Sequence, residues 1–298
     1  MISVIISSAK KELLQQVSKN IADTIAVAHE IIAFDNSAGA KGICEVYNQG
    51  IKQARYDILC FMHEDVAMKT ADWGRVVLEI FDQNPNIGLI GLAGSSYRPL
   101  SPSAWNGYGS EYYYLNLIQH FKHSDKEAVL THHNPGDKNL APVATVDGVW
   151  FCTTQTLASK YLFDESIKGF HGYDLDFSLS IGQEKTVAVT FDILLEHFSE
   201  GRYDEVWLQN IVQLYDKWYH LFPIVLEPVT PSGQIFIERK TFKHFIGLVA
   251  NSKMPLSVAN RFLWKDSKFL KLSFLLFIKL QLYILIAWVK KALGLKVK

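Results

Sequence analysis

The sequence lacks any imbalance of charge and contains little cysteine. Its 298 residues carry 30 basic and 30 acidic side chains, so the formal net charge is zero. Binding of nucleic acid through overall charge is therefore not indicated, and we expect no nucleic-acid partner. The three cysteines, Cys44, Cys60 and Cys152, show none of the CxxC spacing of zinc or redox sites. We expect buried, reduced thiols in a protein of the cytoplasmic side.

The beginning of the chain lacks the basic residues that precede the apolar run of a secretory signal peptide. In contrast, apolar residues are plentiful, since 49% of the chain is hydrophobic and 13% is aromatic. A chain of this length and composition can bury a sizeable core as one large α/β domain, or as one domain with an appendage. No disulfide or structural metal is needed to hold such a core.

Apolar runs rich in β-branched residues alternate with segments of helical periodicity in the first third of the chain. This alternation predicts an α/β fold with a mostly parallel, twisted sheet flanked by helices. Strands are predicted over residues 2–7, 24–34, 56–62 and 86–94, and helices over residues 7–21, 41–55 and 71–85. In such sheets ligands bind outside the carboxyl ends of the strands. The residues that follow each strand are therefore candidate ligand-binding positions.

The third of these strands ends on a tight ionisable cluster, His63, Glu64 and Asp65. Carboxylate oxygens are the ligands that hard divalent cations prefer, and such a cation can neutralise a diphosphate. A helix cap or a simple turn would equally explain acidic residues directly after a strand. The position alone therefore indicates either a cation site or a turn.

A second pair of carboxylates, Asp174 and Asp176, follows Gly169 and Gly172 at the predicted start of a helix that ends near Gly182. Residues two apart point to different sides of a helical turn, so one carboxylate can face a cleft while the other caps the helix. Both could also serve only as caps. The pattern leaves the two alternatives open.

Several segments together, in this order, resemble the GT-A glycosyltransferases. They are "SVIIS", "DNS", "YNQGIKQARYDILCFMHEDV", "DGVWFCT" and "FDESIKGFHGYDLDFSL". The chain looks most like the family 2-like group that includes the streptomycin-biosynthesis-type glycosyltransferase domains. The resemblance covers roughly residues 1 to 200. It implies a GT-A fold over residues 1–225, with a C-terminal extension over residues 226–298.

The resemblance implies a cation, Mn²⁺ or Mg²⁺, that is held by Asp65 with His197 as a second ligand. His197 lies near the end of the apolar run 186–201, which predicts a strand, and a purely structural role is also open there. The first carboxylate of the family's DxD motif is replaced here by His63, so whether His63 or Glu64 takes its place stays open. The residues that the resemblance assigns to a nucleotide-sugar donor, expected to be a UDP-sugar, are Ser7, Asp35, Asn36, Asn48, Glu64 and Asp147.

The resemblance also implies the chemistry. Asp174 matches the family's catalytic base, Asp176 a supporting acid, and Tyr173 stands where the family has a glutamate. The implied reaction moves a sugar, with inversion, to a hydroxyl of a glycan or glycolipid acceptor, as in polysaccharide biosynthesis. A non-catalytic nucleotide- or glycan-binding module on the same fold is one alternative. A nucleotidyltransferase is another, but "SSAKKE" lacks the glycines of its phosphate loop.

Residues 95–146 show no clear periodicity and are rich in Ser, Gly, Pro, Tyr and Trp. A long irregular segment is often functional, and its aromatic rings could stack on sugars or simply pack on the main domain. The histidines of this segment fit no zinc signature. They are His120, His123, His132 and His133.

The C-terminal segment is almost entirely apolar between residues 272 and 289. If residues 265–290 formed one helix, most of its lysines would fall within about 120° of one another. That pattern favours a helix lying on an anionic membrane surface, with the protein peripheral at the inner face. A packed C-terminal helix, a contact in a homodimer and a membrane span are the alternatives.

Overall fold

The computed structural model describes residues 1–121, 126–201 and 203–297. The chain divides into two compact units. The first unit comprises Met1–Ser96 and Glu111–Arg202, and the second comprises Tyr97–Ser110 and Tyr203–Lys298. The domain boundary expected at residue 225 remains a prediction.

The first unit is built from strands and helices that alternate along most of its length. Its strands are β1 (Ile2–Ser8), β2 (His29–Asp35), β3 (Ile58–Met62), β4 (Val66–Met68), β5 (Ile87–Gly91), β6 (Ala93–Ser95), β8 (Tyr113–Gln119), β9 (Val129–His133), β10 (Leu140–Pro142), β11 (Thr145–Val146), β12 (Trp150–Thr154), β13 (Thr186–Thr190) and β14 (Leu195–His197). Its helices are α1 (Lys11–Thr24), α2 (Ile43–Gln53), α3 (Trp73–Gln83), α4 (Gln155–Lys160) and α5 (Tyr173–Ile181). Strand β7 (Tyr97–Arg98) belongs to the second unit.

A seven-stranded sheet forms the centre of the first unit, in the order β10-β13-β5-β12-β3-β1-β2. Strands β1, β2 and β3 pair in parallel, as do β5 and β13, whereas β10 and β12 run antiparallel to their neighbours. Helices on this sheet bury one apolar face each, as their sequence periodicity predicts. The expected mostly parallel α/β sheet is confirmed.

The core on one side of this sheet is a cluster of aromatic rings. Phe61, Phe151 and Phe163 contact one another, with ring centroids 5.1 to 6.3 Å apart. Helix α2 lies so close to β1 that a Cβ added to Gly50 would come within 2.4 Å of Ile5. The predicted buried thiols are confirmed, because the three cysteines are all buried and free.

A second sheet, in the order β11-β6-β8-β14-β4, also belongs to the first unit, and β9 pairs with β8. Most of its strands lie in the segment 95–146 or near it, where the sequence showed no periodicity. Four of its strands, β4, β6, β11 and β14, have two or three residues and are too short to show a period of two. The longer strands β8 and β9 do not alternate regularly between buried and exposed positions. The sheet matters for function because it places β4 beside β14, and β14 beside β8.

Three of the predicted strands were wrong in part. The strand expected over residues 86–94 is divided between the two sheets, because β5 lies in the central sheet and β6 in the second sheet. The strand expected over residues 24–34 begins at His29, since α1 continues to Thr24 and the chain then turns. The apolar run 186–201 is two strands, because β13 lies in the central sheet and β14 in the second sheet. An apolar run alone does not show that the chain passes from one sheet to another.

The second unit is mainly helical. It contains β7 paired with β15 (Ile224–Val225), and the helices α6 (Glu205–Trp218), α7 (Pro231–Ala250), α8 (Ser257–Trp264), α9 (Lys268–Leu272) and α10 (Phe274–Ala292). Two charged residues, Arg98 and Glu238, are fully buried in it. The Glu238 carboxylate accepts hydrogen bonds from the Tyr97 hydroxyl at 2.7 Å and from the backbone N–H of Leu100 at 3.0 and 3.1 Å.

The C-terminal segment is not one helix. The chain breaks at Asp266 and Ser267, which have left-handed backbone angles, and again at Ser273, which is extended and caps α10 through its hydroxyl. The lysine stripe computed for one continuous helix over 265–290 is therefore wrong. No helix among the described residues is long and apolar enough to cross a membrane.

Candidate functional site

The strand pairings of the first unit bring His63, Asp65 and His197 together. His63 follows β3 directly, and its backbone N–H donates to the Val149 carbonyl at 3.1 Å. Two residues later the chain enters β4, where Val66 pairs with His197 of β14. The Phe198 N–H then donates to the Asp65 carbonyl at 3.0 Å. The residue just after β3 and the last residue of β14 therefore meet at one point.

The three side chains converge on one carboxylate oxygen. Asp65 Oδ1 lies 3.7 Å from His197 Nε2 and 3.9 Å from His63 Nδ1. Ligands of one metal ion, each about 2.1 Å from it, lie about 3 to 3.5 Å apart. Among the residues that the structure describes, these three are the His, Cys, Asp or Glu side chains that lie close enough together to hold a metal ion.

Hydrogen bonds fix the tautomer of His197. Gln119 donates through Nε2 to the carbonyls of His120 and Ser199, at 2.7 and 2.8 Å. Its Oε1 must then face His197 Nδ1, which lies 3.2 Å away and carries the proton. The other ring nitrogen, Nε2, is buried and has no hydrogen-bond partner. Its lone pair points at Asp65, as in a metal-ligating imidazole.

A second set of bonds acts in the same way on His63. The Tyr173 hydroxyl donates to the Gly148 carbonyl at 3.1 Å, so its lone pairs are left to accept a proton from His63 Nε2 at 3.0 Å. The lone pair of His63 Nδ1 then faces Asp65. This contact requires a glycine at 148, because an added Cβ would lie 2.2 Å from the Tyr173 hydroxyl.

The electrostatics of the cluster suit a cation. Burial raises the pKa of the Asp65 carboxyl, but His63, the hydroxyl of Ser199 and His197 together lower that pKa below its usual value. Ser199 donates to Asp65 Oδ2 at 2.6 Å, which leaves Oδ1 for the cluster. Burial and the neighbouring His63 lower the pKa of His197. An ionised carboxylate and a neutral imidazole are the forms that bind metal.

Glu64 points away from this cluster. Its Oε2 accepts hydrogen bonds from the Ser8 hydroxyl at 2.7 Å and from the backbone N–H groups of Ala9 and Lys10 at 3.2 and 3.1 Å. The residue that precedes α1, Lys10, gives the helix no side-chain cap, and the Glu64 carboxylate acts there instead. His63, rather than Glu64, occupies the place beside Asp65.

Asp174 and Asp147 form a pair of carboxylates near the cluster. Burial, and the negative charge of Asp147, raise the pKa of Asp174 to about 7, although backbone hydrogen bonds from Leu175, Asp174 itself and Gly148 oppose the shift. Asp147 accepts the backbone N–H of Val149 at 2.9 Å. A carboxyl group with a pKa near neutrality is suited to take and release a proton.

Asp174 lies in the first turn of α5, whose entry is made by Gly169 and Gly172 at φ values of +77° and +83°. Residues other than glycine rarely adopt this backbone conformation. The sequence left open whether one of the two carboxylates faces a cleft or both cap the helix. Asp174 is partly exposed, whereas Asp176 is 2% exposed and buried in the helix–sheet packing.

The remaining predicted donor-binding residues lie at the carboxyl edge of β1 and β2, or behind it. Ser7 and Asp35 lie at the ends of adjacent strands, and Asp35 accepts the Ser37 N–H at 2.9 Å. The Asn36 and Asn48 side chains are buried and satisfied by the protein. Asn36 bonds to the backbone of Lys41, and Asn48 to Phe163 and Glu165.

Sequence reasoning missed the residues that orient the cluster, which are Gln119, Tyr173 and Ser199. Gln119 ends β8 and Ser199 follows β14, so their contacts depend on the second sheet, which was not predicted. Tyr173 begins α5 and reaches His63 from there, a contact between segments 110 positions apart in the chain. The histidines of the segment 95–146 have other partners. His120 bonds to Glu196, His132 to Asn116 and His133 to the Tyr113 carbonyl. His123 lies outside the described residues.

Comparisons with known proteins agree with this fold. The crystal structure of GalNAc-T7 with UDP, GalNAc and Mn²⁺ matches 74% of this chain, with a TM-score of 0.52 and 10% sequence identity. The chain spans 49% of the length of that protein. The crystal structure of S. aureus TarS 1–349 matches 96% of this chain and 80% of its own, with a TM-score of 0.48 and 11% identity. At 10% identity, the match to GalNAc-T7 establishes the fold alone.

Sequence comparison gives a more direct result. The sequence model described as "Glycosyltransferase like family" matches residues 3–214. That range includes the histidine–aspartate cluster, both carboxylates of α5 and all of the predicted donor-binding residues. No protein of curated function matches the chain significantly in sequence.

Proposed function

Because the chain belongs to the glycosyltransferase like family, an enzyme family whose GT-A fold it shares, we propose that it transfers a sugar from a UDP-sugar donor to an acceptor hydroxyl with inversion. The single observation that supports this most strongly is the convergence of His63, Asp65 and His197 at the carboxyl end of β3. The carboxylates of Asp174 and Asp147 lie close to this cluster. The negative charge of Asp147 acts to raise the pKa values of both Asp174 and His197.

In this proposal the cation is Mn²⁺ or Mg²⁺, and Asp65, His197 and His63 hold it. When bound, it supplies positive charge against the diphosphate that leaves. The orphaned Nε2 of His197 and the fixed tautomers of both histidines are the features of this chain that fit a metal. Two imidazoles and one carboxylate suit Mn²⁺ better than Mg²⁺, which prefers oxygen ligands.

Asp174 acts as the general base, and Asp176 as a residue that supports it from inside the helix. The acceptor hydroxyl gives its proton to the Asp174 carboxylate while its oxygen forms a bond to C1 of the sugar. The bond between C1 and the diphosphate oxygen breaks, and UDP leaves with that electron pair. Attack opposite to the leaving group inverts the anomeric centre. The donor side is formed by Ser7 and Asp35, together with the backbone segments that Asn36 and Glu64 hold in place. Asn48 and Asp147 lie behind them.

We propose a glycan or glycolipid as the acceptor and polysaccharide biosynthesis as the setting. We propose that the reaction takes place on the cytoplasmic side, and with a glycolipid acceptor it would take place at the inner face of a membrane. A homodimer is the alternative to association with a membrane. The aromatic side chains of the segment 95–146 remain candidates for contact with sugar.

The deciding experiment is calorimetry of UDP binding in the presence of Mn²⁺, with and without EDTA. Asp65→Asn should abolish the metal-dependent part of the binding, and Asp192→Asn, an exposed carboxylate of the same unit, should leave it unchanged. Equal affinity for UDP with and without EDTA would remove the metal from the proposal. Tight UDP binding without release of sugar from any UDP-sugar would favour a non-catalytic binding module. Release of pyrophosphate from a nucleoside triphosphate would favour a nucleotidyltransferase.

A further inference from the structure

Helix α10 has two faces, and both are apolar. Its buried face packs within the second unit through the side chains Leu276, Phe277, Leu280, Ile284 and Ala287. At about 100° per residue, the opposite face is a continuous arc of about 120°. It consists of the exposed residues Phe274, Leu275, Ile278, Leu282, Leu285, Ile286 and Val289. No polar side chain interrupts this arc, which we call the outer face of α10.

The outer face is much more exposed than the apolar surface of an ordinary soluble helix. Phe274, Leu275, Leu282 and Leu285 are 54 to 68% exposed. Contiguous apolar patches of this kind mark sites that contact another protein or a membrane. The helix already has packing partners on its other side, so its own fold does not require this face to be apolar.

The charges around the outer face identify the partner. Residues 267–298 contain seven lysines and no acidic residue. Lys268 and Lys291 are held by backbone carbonyls, at the ends of neighbouring helices. By contrast, Lys271, Lys279 and Lys296 are exposed. Lys279 and Lys290 border the outer face on one side, and Trp288, 61% exposed, borders it on the other.

We propose that the outer face of α10 inserts into the surface of a membrane that contains anionic lipid. An apolar helix face bordered by lysines and tryptophan is the pattern of a helix that lies in the plane of the interface. A homodimer through this face would bring Lys279 and Lys290 of both copies to the edges of the contact, and residues 267–298 contain no acidic side chain to pair with them. This opposes a homodimer. This inference rests on the proposed membrane-side function but concerns a different unit of the chain.

The test is flotation of the full-length protein with two kinds of vesicle. One kind contains phosphatidylcholine alone, and the other phosphatidylcholine with about one third phosphatidylglycerol. We expect binding to the anionic vesicles and at least about tenfold weaker binding to the neutral ones. Leu282→Glu should weaken binding to the anionic vesicles by about tenfold or more, because it places a charge in the centre of the outer face.

Two further variants separate the apolar face from charge. Val206→Glu makes the same kind of change at an exposed valine of α6 and should alter binding by no more than about fivefold, the effect of one charge near the surface. The double change Lys279→Gln and Lys290→Gln should weaken binding to anionic vesicles by up to about 30-fold and leave binding to neutral vesicles unchanged. Equal binding of Leu282→Glu and the unchanged protein would overturn the proposal.

Two other outcomes would also be decisive. If the protein ignores both vesicles but forms a dimer that Leu282→Glu disrupts, the outer face is a protein contact and the proposal is wrong. The catalytic proposal is tested separately, because UDP binding with Mn²⁺ should be the same in Leu282→Glu as in the unchanged protein. Asp65→Asn should conversely lose that binding and still float with anionic vesicles.

Discussion

Gln119 Oε1 lies 3.2 Å from His197 Nδ1 and sets which nitrogen of that ring carries the proton. The amide cannot turn over, because its nitrogen already donates to two backbone carbonyls. The free lone pair of His197 is therefore decided by Gln119, which contacts the nitrogen of the ring that does not face Asp65. The pairing of β14 with β8 places Gln119 directly opposite His197.

Gln119→Leu should lower the affinity for Mn²⁺ by about 10- to 100-fold, the usual effect of losing a partner that orients a metal ligand. Gln119→Glu keeps an acceptor for His197 Nδ1 and should retain the affinity. Both variants lose the two bonds to carbonyls, so they should lose thermal stability to a similar degree. Calorimetry with Mn²⁺ measures the first effect and thermal unfolding the second. Equal Mn²⁺ affinity in the two variants would mean that Gln119 acts only through stability.

Substitutions of His63 and Glu64 should have different effects, because the two side chains contact different parts of the protein. His63→Ala should weaken Mn²⁺ binding by about tenfold or more, since it removes a ligand. Glu64→Gln should leave Mn²⁺ binding unchanged and reduce the free energy of unfolding by about 1 kcal/mol, the contribution of a charged group at a helix start. If the Glu64 variant loses the metal instead, the loop rearranges when the metal binds.

The rate of sugar transfer should depend on pH through Asp174. With a pKa of about 7, its carboxyl group is protonated in acid and cannot accept the proton of the acceptor, so turnover should rise with pH through about 7. Asp147→Asn removes the neighbouring negative charge and should move this limb to lower pH. Asp174→Asn should lower turnover by about 10² to 10⁴ without weakening UDP binding. A limb at the same pH in Asp147→Asn would show that Asp174 is not the group that titrates.

Asp176 makes a poor control for Asp174, although both carboxylates lie in the first turn of α5. It is almost fully buried, so Asp176→Asn should act on stability before it acts on the reaction. Asp192→Asn is the better matched change, because that carboxylate is exposed and lies outside the cluster.

Glu238 should make the stability of the second unit fall as pH rises. Burial raises its pKa from 4.5 to about 7, so the folded state binds the proton more tightly than the unfolded state. The stability that this gives is fully present below pH 4.5 and is lost as pH rises through about 7. The shift of about 2.5 units corresponds to at most ~3 kcal/mol.

Glu238→Gln tests this directly, because the amide has no charge at any pH and its oxygen can still accept from Tyr97 and Leu100. Urea unfolding at pH 5 and pH 8 should show a smaller loss of stability in the variant than in the unchanged protein. Parallel losses in both would assign the pH dependence to other groups, of which Asp174 has the same sign.

The central sheet could be predicted from the sequence because its strands are long enough to show apolar runs. Ile2–Ser8 and Ile58–Met62 are buried along almost their whole length, and the helices between them have one clear apolar face. The position of Asp65 followed from the strand that precedes it. The orienting residues could not be predicted, because they meet the cluster through contacts between distant segments. Gln119 does so through the pairing of β8 with β14, which has only three residues, and Tyr173 does so from the start of α5.

The prediction of a lysine stripe in the C-terminal segment was wrong for a different reason. A helical projection assumes that the helix is unbroken, and the extended backbone of Ser273 resets the phase between α9 and α10. Within α10 alone the projection works, and the lysines mark an edge rather than a face. A deletion from residue 265 would remove α9 and α10 and expose the part of α7 that they cover. Point substitutions on the outer face are therefore a better test of membrane binding than this deletion.

The bond between Glu64 and the beginning of α1 has a consequence for the order of folding. The N-terminus of α1 obtains no side-chain cap from its own preceding residue, and it depends on a carboxylate more than fifty positions later in the chain. A peptide of residues 8–24 should therefore be mostly unstructured, because isolated helices of this length are marginal even with a good cap. During folding, α1 should gain its full stability only after β3 has joined the sheet. Its amides should then exchange with solvent together with those of β3 rather than earlier.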